Sequence, residues 1–173
     1  MLSSGSSNPS SLASDLMISV EVNNRQKSQS IDEKRLAAAV RAVLSGEGFT
    51  TAEVSLAIVG DEEMHELNRR HLSHDYPTDV LSFLLDGDEE WLEGEVIASA
   101  EYAARSAPQF SASLDDELML YIVHGTLHLA GYDDQDDDSR RQMRAKEKEY
   151  LAPFGISISY DEAARTAPAG GSK

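Results

Sequence analysis

Two of the five histidines in this 173-residue chain stand four apart in the stretch HGTLHLAGYDD, residues 124–134. Positions i and i+4 share one face of a helix, with β-carbons about 5–6 Å apart. The imidazoles of His124 and His128 can therefore meet one metal ion. Gly131 follows three residues later, then Asp133 and Asp134. On a continuing helix, an aspartate six residues past His128 would swing far around the axis. A glycine just past a helix end can adopt the left-handed conformation and reverse the chain. Asp133 or Asp134 could then fold back toward the two rings. The spacing copies the third-ligand geometry of HExxHxxGxxH metalloproteases. Gly125 stands where those enzymes carry their glutamate base, so a peptidase of that type would lack its base. Inside a helix Gly125 costs roughly 1 kcal/mol against alanine, and the expected compensation is room for a substrate or metal beside His124. Three protein ligands leave one position on the ion for water. The chemistry indicated is metal-assisted hydrolysis; no obvious general base stands beside His124, and Asp133 is the candidate left.

The helix that must carry these histidines is apolar nearly all round over LMLYIVHGTLHL, which predicts a buried element spanning 114–131. Alternation predicts strands at 16–22 and 52–59, and apolar runs predict two more at 79–85 and 94–100, separated by the acidic loop DGDEEWLE. A helix opening at Ile31–Asp32 places Leu36, Val40, Val43 and Leu44 on one face, and Gly46 or Gly48 ends it. Asp61 is read as the cap of a helix with Met64, Leu67 and His71 inward. A short helix over 101–107 ends near Pro108, and a last one covers 136–155. The order βαβαββααα implies a single α+β domain with one mixed four-stranded sheet and about five helices.

One domain is the expectation for this length. Residues 1–15 read as a disordered Ser-rich tail, 16–155 as the domain and 156–173 as a second loose tail. With no cysteine, disulfides, thiolate nucleophiles and cysteine zinc sites are excluded. No apolar run approaches the roughly 20 residues of a membrane span, and the N-terminus lacks the flank and apolar core of a secretory signal. A cytoplasmic protein is expected. The net charge of −16 opposes non-specific nucleic-acid binding. Any RNA contact then needs a local basic patch, and the sources are Arg69 with Arg70, and Arg140, Arg141, Arg144, Lys146 and Lys148 on the last helix, diluted by Glu147 and Glu149.

The stretch HGTLHLAGYDD resembles the HGxLHLxGYDH signature of the YbeY-type endoribonucleases, the rRNA maturation factors. LNRRHLSHDYPTDVLSF (67–83) is similar to that family's LNxxYRxKDxPTDVLSF, and GEVIAS (94–99) resembles its GDIVIS strand. The resemblance spans roughly residues 17–155. It implies a zincin-like fold, a bound zinc ion, and cleavage of single-stranded RNA in 16S rRNA processing and ribosome quality control. RNA and the ribosome or its proteins are the implied partners; DNA and membranes are not. By position, His124, His128 and Asp134 become the catalytic and metal-binding residues. Asp134 replaces the family's third histidine; aspartate ligates zinc at about 2.0–2.2 Å and also makes a harder ion such as manganese plausible. Leu72 stands in place of an arginine and His74 in place of a lysine, and that arginine is a natural phosphate partner.

Plainer roles are expected for the remaining polar residues. Thr78 and Asp79 brace the entry to a buried strand, with substrate positioning secondary. Asp136–Asp138 cap the last helix and complement its dipole. Trp91 is read as a packing anchor, and His65 as a solvated or packed helix residue. Two other functions fit the motif: a metal-dependent hydrolase of peptides or small phosphoesters, and a ribosome assembly factor whose metal is structural.

Overall fold

The computed structural model describes residues 16–72, 78–158 and 171–172. The N-terminal tail, His74 and most of the C-terminal tail lie outside them. Strands β1 (Met17–Asn24), β2 (Thr51–Val59), β3 (Val80–Gly87) and β4 (Trp91–Ser99) alternate with helices α1 (Glu33–Gly46), α2 (Asp61–Leu72), α3 (Ala100–Ser106), α4 (Leu114–Leu129) and α5 (Asp137–Leu151). The sheet order is β1-β2-β4-β3, with β1, β2 and β4 parallel and β3 antiparallel to β4. Gly171–Ser172 add a two-residue parallel strand, β5, beside Leu81 and Ser82 on the outer edge of β3. The element order and the mixed sheet agree with the α+β expectation. Among the described residues no helix is long and apolar enough to cross a membrane.

Strand side chains alternate between faces, and the two faces of this sheet are covered differently. Ala52, Val54, Leu56, Ile58, Val96 and Ala98 join the main core with the buried sides of α1, α4 and α5. Ala57, Val59, Leu81 and Ile97 point the other way and pack under Met64 of α2. The main core continues past the last helix, because Ile156 is buried and Ile158 packs beside it. Helix α4 lies at the centre. Twelve of its sixteen residues are buried, so it has almost no solvent face along which to slide or turn. Ser113 caps its N-terminus by accepting from the Asp116 N–H, one of the orphan donors of a first turn.

Four sequence expectations need correction. Asp61 is the first residue of α2 rather than its cap: its N–H donates to Glu101 Oε1 at 3.0 Å, and its carboxylate pairs with Arg105 and accepts from Ser99 Oγ. The acidic stretch 86–93 is no long loop. It is the tip of a hairpin with a register shift between Leu84 and Asp86, closed by Asp88 Oδ1 accepting from the Glu90 and Trp91 N–H groups. Trp91 opens β4 at 37 % exposure, too open for a packing anchor. His71 is exposed on α2, its ring tilted 5.2 Å from that of Phe83.

Candidate functional site

The C-terminus of α4 ends as the spacing predicts. Gly131 takes φ 106°, the left-handed region open to glycine. The Tyr132 N–H reaches back to Leu127 O at 3.0 Å and the Gly131 N–H to His128 O at 3.1 Å, a Schellman-type closure. The reversal returns Asp134, not Asp133, to the histidines. Asp133 stays exposed, and its Oδ1 accepts from the Asp134 N–H at 2.8 Å. It braces the turn and does not face the rings as a base.

His124 Nε2 lies 3.1 Å from His128 Nε2. Asp134 Oδ2 lies 3.4 Å from the first and 3.7 Å from the second. The three atoms form a nearly equilateral triangle. Ligands held tetrahedrally at zinc's usual 2.0–2.1 Å stand about 3.3–3.4 Å apart, so this donor set fits a divalent ion. The rings meet edge to face at 82°, and each brings its Nε2 near Asp134 Oδ2. The corners open in order: the side chain of His124 is 0 % exposed, that of His128 4 % and that of Asp134 20 %. The triangle is most open to solvent on the aspartate side.

Each ring is also held from behind. His128 Nδ1 lies 3.0 Å from the carbonyl oxygen of Tyr132, the residue between the turning glycine and the aspartates. The Tyr132 hydroxyl donates to Glu47 Oε1 at 2.7 Å. Glu47 also accepts from Tyr150 and pairs with Lys146 at 3.2 Å. The end of α1 and the face of α5 thus clamp the ligand-bearing turn. Burial alone would raise the Glu47 carboxyl, but the bonds from Tyr150, Tyr132 and Lys146 outweigh it and hold it below the usual carboxylate range.

His124 Nδ1 lies 2.7 Å from Glu147 Oε1, and both groups are fully buried. In the sequence Glu147 reads only as a charge diluting a basic face. The signal that could have found it is its period: Met143, Glu147, Tyr150 and Leu151 share the buried side of α5. Burial pulls the His124 ring down, yet its bonds to Asp134 and Glu147, with their charges, lift it to about 9. Burial opposes ionisation of Asp134 too, but His124 and His128 hold its carboxyl well below the usual range. Burial pushes the Glu147 carboxyl up, against the pull of the ring.

A pH dependence follows for protein stripped of metal by a chelator. A histidine raised from 6.5 to about 9 on folding stabilises the fold fully below about pH 6.5. That contribution is lost as pH rises through 9. The melting temperature of the stripped protein is expected to fall between these values, and Asp134→Asn, which removes one of the two carboxylates, to shrink the fall. A melting temperature that is flat or rising across this window would contradict the assignment of charge.

Gly125 has a different reason from the one expected. A β-carbon there would come within 2.8 Å of Ser82 Oγ, 2.9 Å of Val96 Cγ1 and 3.0 Å of Val80 Cγ2. Ser82 Oγ also donates to Gly125 O at 2.9 Å. The glycine brings α4 down onto β3 and β4 and leaves no room for substrate. Thr78 and Asp79 are buried, and Asp79 accepts from the Val80 N–H at 2.8 Å, as bracing residues should. Asp136 caps α5 in a capping box with Ser139. The expected basic clusters are largely paired. Arg69 and Arg70 meet Glu66, Arg140 meets Asp137, and Arg141 meets Asp138. Leu72 packs with the small cluster beneath α2.

Comparison with known proteins places these residues in a wider set. A family model described as Endoribonuclease YbeY matches residues 21–155. A protein of Pelotomaculum thermopropionicum named Endoribonuclease YbeY is 41 % identical over 149 residues, covering 80 % of this chain and 98 % of that one. One of the same name from Rhodopirellula baltica is 40 % identical over 135 residues, covering 77 % and 70 %. The solution structure of a Thermotoga maritima protein has the same fold at a TM-score of 0.56, with 24 % identity over 80 % of this chain and 92 % of that one.

Proposed function

This chain belongs to the YbeY family of endoribonucleases, and from that membership we propose that it is a metal-dependent endoribonuclease. It cuts single-stranded regions of precursor rRNA in the cytoplasm, in 16S rRNA maturation and ribosome quality control. His124, His128 and Asp134 hold one divalent ion, zinc in first place and manganese as the alternative that a carboxylate ligand favours. The observation that carries the reading is the convergence of three ligand atoms, 3.1–3.7 Å apart, at the floor of a site open on one side. A divalent ion held by these residues would supply Lewis-acid chemistry, lowering the pKa of water and offsetting charge on a phosphoryl oxygen. The chain's own part is to hold the two imidazoles from behind and to shut water out on the His124 side. Asp134 stands where the substrate phosphate enters.

A second reading keeps the metal but gives the protein an assembly role on the ribosome. Leu72 favours it, because a packed leucine stands where the family motif carries an arginine, a natural partner for phosphate. One experiment separates the two: metal analysis of the purified protein with a single-stranded RNA cleavage assay before and after chelation. About one ion per chain, with cleavage lost on chelation and regained on adding zinc, is expected. Metal retained without cleavage would favour the assembly role, and cleavage indifferent to chelation would remove the metal from the mechanism.

A further inference from the structure

Helix α5 contributes no ligand atom, yet it buries a carboxylate directly behind one. Its inward face is Met143, Glu147, Tyr150 and Leu151, and among these apolar neighbours Glu147 is 0 % exposed. A buried carboxylate is costly unless hydrogen-bonded, and the bond here reaches 23 residues back along the chain to His124 Nδ1, at 2.7 Å. The other ring nitrogen, Nε2, faces His128 and Asp134. A neutral imidazole that donates from Nδ1 presents an unprotonated lone pair at Nε2.

Resting on the metal-centre reading above, we infer that Glu147 is the positioning residue of that centre. By accepting the Nδ1–H of His124 it selects the ring tautomer and fixes the ring plane in which Nε2 joins His128 and Asp134. His128 receives the same orientation from a backbone carbonyl, that of Tyr132, which no side-chain change deletes. His124 depends instead on a side chain from another helix. A carboxylate partner also makes an imidazole a more basic ligand than a carbonyl does. Ligand orientation at this corner is therefore set by how α5 docks on α4, and not by the motif alone.

The test measures zinc dissociation constants of the full chain by chelator competition, for the wild type, Glu147→Gln, Glu147→Leu and Met143→Ala. Leucine fills the space without an acceptor; glutamine keeps an acceptor oxygen without the charge. Loss of such an outer partner typically costs 10–100-fold in metal affinity. Glu147→Leu is expected to lose that much and Glu147→Gln less. Met143→Ala, which opens a cavity on the same helix face, should stay at wild-type affinity. In the zinc-loaded wild type the His124 Nδ1–H proton should be slow to exchange and visible by NMR, and it should vanish as a protected signal in Glu147→Leu. Folded Glu147→Leu with wild-type zinc affinity overturns the inference, and so does an equal loss in Met143→Ala. Should Glu147→Leu not fold, Glu147→Gln decides, and unchanged affinity there overturns it. A wild type that binds no divalent ion overturns the metal-centre reading itself, and this inference with it.

Discussion

Asp134→Ala is expected to lose metal affinity by more than the 10–100-fold that removal of an outer partner costs, and RNA cleavage with it. The variant keeps the turn, because Gly131 and the Leu127 and His128 carbonyls form it without the Asp134 side chain. It deletes only one corner of the triangle, the one 20 % exposed. His128→Ala should be as severe, since it deletes another corner of the same triangle. Asp134→His is the informative partner. It restores the family's usual third ligand, at a zinc–nitrogen distance of about 2.0–2.1 Å, and removes one negative charge from the open side where phosphate must approach. Zinc should be retained and the cleavage rate should rise. Samples must be equally folded, with metal content measured. Asp134→Ala cleaving as fast as wild type, with or without metal, would end the nuclease reading of this site and leave the assembly role in its place.

Gly125→Ala is expected to destabilise the protein, although alanine is the better helix former by roughly 1 kcal/mol. The new methyl meets Ser82 Oγ, Val96 and Val80 at or below 3.0 Å. Two of these are buried β-branched side chains of adjacent strands, stiff at χ1, and the third is tied to the Gly125 carbonyl. Overpacking of this kind costs about 1–3 kcal/mol. Set against the roughly 1 kcal/mol that alanine gains in a helix, the net loss reaches up to about 2 kcal/mol, a fall of up to about 8 °C in Tm for a chain of this size. The same shift lifts α4 off the sheet between its two histidines, so zinc affinity should fall as well. An unchanged or higher Tm would show that the helix does not need this close approach.

Much of the site was legible because its parts are close in sequence. The i, i+4 histidines, the left-handed glycine and the returning aspartate all lie within 124–134, where helix geometry and one turn decide the outcome. The core face of α1 followed from periodicity, and the buried length of α4 from its being apolar nearly all round, for the same reason. Even so, local rules left Asp133 and Asp134 as equal candidates, and it was the path of the turn that brought one to the rings and left the other braced in solvent. The acidic hairpin tip was read as a loop because its outward residues are charged. Glu93 is exposed between buried Leu92 and Gly94, so this end of β4 has one wet face and one dry one.

The amino-acid order by itself determined the ligand types, their spacing, the α+β element order and the family. Only the tertiary structure decided which carboxylate stands behind His124, why position 125 must be glycine, and which carboxylate holds Tyr132 in the turn. Those three depend on contacts between segments far apart in the chain: α5 against α4, α4 against β3 and β4, and Glu47 against the ligand turn. No short-range periodicity encodes such contacts. They are settled when the helices and sheet pack to a common density and each buried polar group must find its partner.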